Sequence, residues 1–267
     1  MAIKNLDRFM GKPIDGALEI ALGNMNSPSQ ASPNPVKDFS PTPSSEISNP
    51  EKYIILPGNS HGNYSYNDTL VSIERKHQGK NWPNTHIALA ADGNHMLTIR
   101  QFVDFLKLLK SGSVYDGKGK RIGDKSALEI LKDIIAVRNP YRAEWLDADF
   151  KITKKKFIGK EDLIINYGHR LSSAGDIAPQ YSEPLEDWLD KDRKPGINFD
   201  DWLNNANKHG LPSPNVTSGD LYYFCPNRDN NSVAGFYAGS GRAYLGCYRY
   251  PSIAILALGV RVAREKK

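Results

Sequence analysis

The chain has 267 residues, a mass of 29.7 kDa and a formal net charge of +5, with a pI near 9.0. Hydrophobic residues at 39% and charged residues at 24% are those of a globular protein able to bury a core. They exclude a wholly disordered chain, a coiled coil and a collagen-like repeat. No run of roughly eighteen apolar residues occurs, so no membrane-spanning helix is expected. The opening Met1-Ala-Ile-Lys-Asn-Leu-Asp-Arg-Phe lacks the apolar stretch of a secretory signal. The charge excess is modest for this length and does not point to a nucleic-acid partner.

Ile14 to Leu22 (IDGALEIAL) has apolar residues at mixed spacing and reads as a short strand or helix. Asn24 to Pro50 is dominated by Ser, Pro and Asn, too poor in packing residues to offset ordering entropy, and reads as a linker. The expected organisation is an N-terminal segment, 1–52, followed by one domain, 53–267. Over 98–110, Phe102, Phe105, Leu106 and Leu109 form a helical stripe. Thr98 with Gln101 matches a capping box and Gly112 a stop. A second helix is expected over 126–138, burying Leu128, Leu131, Ile134, Ile135 and Val137, with Asn139-Pro140 ending it. The Gly- and Lys-rich stretch between them lacks the ending of a phosphate-binding loop and reads as a solvated connection.

Lys151 to Lys160 (KITKKKFIGK) reads as a solvated hairpin, and Phe157 to Tyr167 as two short strands around Gly159-Lys-Glu. Glu186–Asp190 and Asp200–Asn207 read as helical turns anchored by Trp188 and Trp202. Leu221–Cys225, Arg242–Tyr250 and Leu258–Arg264 are strand-like, the last expected to be half-buried with Leu258, Val260 and Val262 on one face. The run SIAILAL after Pro251 is either a fully buried strand or an exposed apolar binding patch.

From His209 to Arg264 there is no Lys, Glu, Gln, Met or Trp, although the whole-chain rate of these types predicts about nine. The tract is instead rich in Tyr, Gly, Ser and Asn. Such residues suit adaptable contact surfaces, because Tyr gives a large amphipathic contact at small entropic cost. The alternative is a Gly-rich sheet whose tyrosines simply pack.

The end of the chain, AGSGRAYLGCYRY followed by ALGVRVARE, resembles C-type lectin-fold proteins of the formylglycine-generating-enzyme type. With TLVSIERKHQGKNW, LTIRQFVDFLKLLKSG, NPYRAEWLDADF and DNNSVAGFYAGSGRAYLGCYRYP, it is similar more narrowly to variable proteins of diversity-generating retroelements, in the branch from archaea and their viruses. The resemblance spans roughly Ile54 to Arg264. It implies an α+β, C-type lectin-like fold, with two helices flanking small twisted antiparallel sheets and the last strand at the sheet centre. It also implies that error-prone copying at adenines diversifies the 3′ part of the gene, here about 229–260. Asn-type codons altered in this way never yield the five missing residue types.

The ligand-facing set implied is Gly235, Tyr237, Tyr244, Tyr248, Ser252, Ile253, Ala254, Ile255 and Leu256, with Tyr237 and Tyr244 alternatively in the core. Arg261 and Arg264 are expected to be structural. The resemblance points to a non-enzymatic protein binding an unknown protein or surface ligand, for host attachment on a virion or cell surface, with no cofactor, nucleic acid or membrane insertion. The alternatives are an enzyme related to formylglycine-generating enzymes and a structural virion component. Those enzymes bind copper through two nearby C-terminal cysteines, whereas Cys225 and Cys247 lie far apart in sequence and are expected to pack as small hydrophobes. The six histidines show no metal-ligand spacing. Neither the Glu-Pro-Asn or Gln-Pro-Asp loop of calcium-dependent lectins nor a Gly-x-Ser-x-Gly elbow occurs.

Overall fold

The final strand of the chain lies inside a sheet rather than at its edge, and the rest of the fold is arranged around it. The structure is a computed structural model that describes residues 8–9, 12–13, 48–154 and 161–266. Two units divide the chain, Met1–Pro35 and Val36–Lys267. In the first, Arg8–Phe9 pairs antiparallel with Lys12–Pro13. The element expected over 14–22, the linker over 24–47 and the basic residues 155–160 lie outside the described residues.

In the second unit the strands of the main sheet are β1 (Tyr53–Leu56), β2 (Thr69–Lys76), β3 (His95–Met96), β4 (Arg142–Lys154), β5 (Glu161–Tyr167) and β6 (Tyr181–Pro184). They continue with β7 (Arg193–Ile197), β8 (Leu221–Phe224), β9 (Ser232–Gly239), β10 (Arg242–Arg249) and β11 (Leu258–Glu265). The order is β7-β8-β10-β9-β4-β11-β2-β1, with β5 on β4, β6 on β5 and β3 on β11. Among the described residues four α-helices, α1 (Trp82–Ala91), α2 (Ile99–Ser111), α3 (Asp124–Ile135) and α4 (Phe199–Asn205), complete a mixed, α+β arrangement. The sheet is larger than expected and not purely antiparallel, since β4 runs parallel to β11 and β8 parallel to β10.

Helix α2 forms as its sequence predicts. Thr98 accepts from the Gln101 backbone, the Gln101 side chain accepts from Thr98 N–H, and Gly112 closes the helix at φ 71°. Its stripe, Phe102, Phe105, Leu106 and Leu109, is wholly buried in the larger core. Helix α3 departs from expectation: it ends at Ile135, and it buries Ala127, Leu131 and Ile134. Leu128 and Val137 are exposed, because the helix turns a narrower face inward and the chain leaves it before Val137. Helix α1 was not legible, as small and apolar residues surround it on all sides. Asn81 caps it, and Trp82 donates from its indole to the Leu146 carbonyl. Of the two expected Trp-anchored turns, only the second is a helix, α4. Of the two strands expected between Phe157 and Tyr167, the second is β5, paired antiparallel with β4, and the first, before Gly159, lies outside the described residues.

β11 is buried on both faces from Leu258 to Ala263, not half-buried. Leu258, Val260 and Val262 join Trp82, Trp145 and Val233 in a second core cluster. Arg261 points the other way, 2% exposed, with Nε 3.1 Å from Glu144 Oε2. Glu144 Oε1 accepts from Arg142 Nη2 at 3.0 Å, and Arg142 continues to the Asp133 carbonyl at 3.0 Å. Arg261 also donates to the Ser72 carbonyl at 3.1 Å. Arg75, on the same strand as Ser72, donates to the carbonyls of Ala143 at 2.8 Å and Ala257 at 2.6 Å. One carboxylate thus ties three strands of the sheet to the end of α3. Because removing one member leaves buried charge unpaired, Glu144→Ala is expected to cost about 3–5 kcal/mol, measured by chemical denaturation.

Candidate functional site

The predicted site residues fall into three groups. Strand register sets two cross-strand rows on one face of the sheet. The first runs Tyr222, Tyr244, Tyr237, Ala143, Leu258; the second runs Phe224, Gly246, Gly235, Trp145. The opposite face of the same strands, with Ala234, Phe236, Leu245 and Cys247, fills the larger core. Alternation therefore sends neighbouring residues of a single strand to two different faces of the sheet.

Tyr244 and Tyr248 are partly exposed on this face, as expected. Tyr237 and Gly235 are not outward-facing, a correction to the expectation. Tyr237 is 3% exposed and belongs to the second core cluster. Its ring stacks on Tyr244 at 4.7 Å and 8°. Gly235 is buried because aromatic rings lie over it. A Cβ there would come within 3.0 Å of the Tyr237 ring and hydroxyl, and one at Gly246 within 3.2–3.3 Å of the Tyr244 and Tyr248 rings. The glycine pair forms the shallow trough in which the tyrosines rest.

Cations are interleaved with these rings. The Arg249 guanidinium lies 4.7 Å from the Tyr237 ring centre, 4.8 Å from Tyr248 and 5.9 Å from Tyr244, and it donates to the Tyr244 hydroxyl. Arg242 lies over Tyr222 and Lys194 over Phe224. The third group, Ser252 to Leu256, is a loop rather than a buried strand. Ser252, Ala254, Ile255 and Leu256 are exposed, Leu256 at 84%. Ile253 is partly buried and packs on the second core cluster. The loop is held by its base, where Trp82 N–H donates to Pro251 and Leu258 N–H to Ile255.

Cys225 and Cys247 follow directly after the last register pair of the parallel strands β8 and β10, Phe224 with Gly246. Both are free. Burial pushes both thiols up, Cys225 to about 11, so neither is a thiolate at neutral pH.

A titratable cluster was missed by sequence reasoning. Asp147 sits where the β4–β9 ladder shifts register between Trp145 and Asp149, and it is fully buried. Its Oδ2 accepts from His169 N–H at 2.9 Å, and its Oδ1 meets His169 Nδ1 at 2.5 Å. His169 Nε2 faces Asp149 Oδ1 at 3.4 Å, and His86 Nε2 stands 3.8 Å from Asp147 Oδ1. The Trp82 ring packs edge-on against both imidazoles. Burial alone would lower His169, but its two carboxylates raise it to about 9. Burial alone would raise Asp147, but charged His169 holds it at about 2. Burial keeps His86 neutral, down to about 4.

His86, Asp147 and His169 are the described residues whose donor atoms approach closely enough to consider a metal. A tetrahedral zinc site holds its ligands about 2.0–2.2 Å from the ion. That requires ligand atoms more widely separated than the 2.5 Å Asp147–His169 contact, which is a charge-assisted hydrogen bond. The cluster is a buried ion pair. Its signal in sequence was two acids, Asp147 and Asp149, set into the apolar run WLDADF.

Compared with family models, with curated proteins and with solved structures, the chain has no match.

The ion pair has a pH signature. His169 has a folded pKa above its unfolded value, so its contribution is complete below about pH 6.5 and fades as pH rises through about 9. Asp147 has a depressed folded pKa, so its contribution is present above about pH 4 and fades toward pH 2. His169→Gln is therefore expected to cost most, on the order of 3 kcal/mol, between about pH 4 and 6.5, and least above pH 9. Denaturant melts of both proteins across this range check the prediction.

Proposed function

We propose that this chain is a non-enzymatic ligand-binding protein, the variable protein of a diversity-generating retroelement on a C-type lectin-like scaffold. The observation that carries the reading is the split within one tract. Between His209 and Arg264, which lacks five residue types throughout, the buried positions are scaffold. The partly exposed Tyr244 and Tyr248 and the exposed loop Ser252–Leu256 form an outward surface on one side of the sheet. Ile255 and Leu256 leave apolar surface exposed on this loop, which suits recognition. The proposed ligand-facing set is thus Tyr244, Tyr248, Ser252, Ile253, Ala254, Ile255 and Leu256, with Tyr237 and Gly235 as its floor. Display on a virion or cell surface for host attachment fits this arrangement.

The deciding observation is at the gene: a near-copy of the 3′ end that differs at adenines, beside a reverse transcriptase gene. A locus holding neither removes the mechanism. The adjacency of Cys225 and Cys247 favours a second reading, a C-type lectin-fold enzyme with cysteine-bound copper. Stoichiometric tight binding of copper(I) by the intact protein, lost in Cys247→Ala, would support that reading instead.

At the protein level, Ile255→Ser with Leu256→Ser is expected to change stability by less than about 0.5 kcal/mol. Tyr237→Ala, which empties the floor, is expected to cost about 3–5 kcal/mol. Equal losses in thermal or denaturant melts would contradict the division into display and floor.

A further inference from the structure

The proposed display face contains a cation that the fold does not neutralise. Buried arginines elsewhere each meet a carboxylate: Arg100 with Asp104, and Arg142 and Arg261 with Glu144. Arg249 has only tyrosines. Among the described residues no carboxylate lies in ion-pair range of it, and its contacts are the rings of Tyr237, Tyr244 and Tyr248 and the Tyr244 hydroxyl. Those rings hold the guanidinium in place by cation–π attraction and fix its plane without cancelling its charge.

Hydrogen-bonding capacity at this spot is also unspent. Arg249 Nε is buried with no hydrogen-bond partner among the described residues, and Nη2 donates to the Tyr244 hydroxyl. Directly beneath, the hydroxyl of Tyr237 has no partner either, although the residue is only 3% exposed. Buried polar atoms are nearly always satisfied, so two unsatisfied groups beside an unpaired charge mark a place for an acceptor. The rings and the neighbouring loop supply apolar surface around it.

We infer that Arg249 receives an oxyanion, a carboxylate, sulfate or phosphate group presented by the ligand. This inference rests on the ligand-binding reading above. A planar guanidinium held by its stem offers paired N–H donors that match such a group. Lys194 and Arg242, at the margin of the same face, add positive potential.

The test titrates the full chain with acetate, sulfate and inorganic phosphate at constant ionic strength, following thermal stability and the NMR signals of the Arg249 side chain and the Gly235 and Gly246 amides. The expected result is saturable binding of at least one anion, with those signals moving together. Arg249→Gln should raise the apparent dissociation constant about tenfold or more, and Arg121→Gln, a surface cation remote from the face, should leave it unchanged. Should Arg249→Gln not fold, the wild-type signals alone decide. Non-saturable shifts, or equal binding by Arg249→Gln, overturn the inference. The comparison of sulfate and phosphate with acetate identifies the class of group. Failure here, with an adenine-variant template present at the locus, would leave the display reading intact. Success without such a template would leave an anion site on a protein that is not diversified.

Discussion

A single buried carboxylate, Glu144, holds the parallel junction on which the sheet depends. It lies between β4 and β11, where the chain end enters the sheet beside a strand laid down more than a hundred residues earlier. A parallel pair has no local turn to fix its register. Arg261 from β11 and Arg142 from β4 converge on Glu144, while Arg75 spans from β2 to carbonyls on both sides of the junction. Apolar replacement of a buried ion cluster is often neutral in stability, so the contribution assigned to Glu144 is register: an apolar junction has nothing to oppose a shift of β11 by two residues. Charge placed at one position does oppose it.

That register determines what the sheet presents. With Leu258 opposite Ala143 and Ala143 opposite Tyr237, the row of tyrosines on β8, β10 and β9 continues into the second core cluster. The aromatic face therefore has a buried end and an exposed end, and the loop after Pro251 stands beside the buried end. Rigidity comes from below, through Trp82, Trp145 and Tyr237, while the upper rings and the loop remain in contact with solvent. This gradient suits the recognition role proposed for the face, since groups already ordered lose little entropy on binding.

Much of this was legible in the sequence where one local rule dominated. The capping box and stripe of α2, and the strands β10 and β11 with Leu258, Val260 and Val262 on one face, are one-dimensional patterns that the structure reproduces, although β11 is buried on both faces. Of the expected ligand-facing residues, Tyr244 and Tyr248 are partly exposed, Ser252, Ala254, Ile255 and Leu256 are exposed, and Ile253 packs on the second core cluster. Tyr237 was misplaced because alternation assigns it a face but not the cover over that face. Its cover comes from Tyr244, Arg249 and the Trp82 region, remote in sequence. Helix α1 was invisible because WPNTHIALAA has no apolar stripe, its burial being decided by contact with the loop and with Leu146. The Asp147–His169 pair was missed because His169 lies in the turn after β5 and meets Asp147 of β4 only where that strand's ladder shifts register.

The trough formed by Gly235 and Gly246 links neighbouring positions on the face. The rings at 244 and 248 both rest on the one missing side chain at 246, and the ring at 237 leans on 235. Exchange at one of these sites alters the support of the others, so the surfaces attainable by substitution are fewer than the product of choices site by site. Workable combinations would arise as sets, and a collection of such sequences would carry correlated residues at 237, 244 and 248 alongside freely varying ones at 255 and 256.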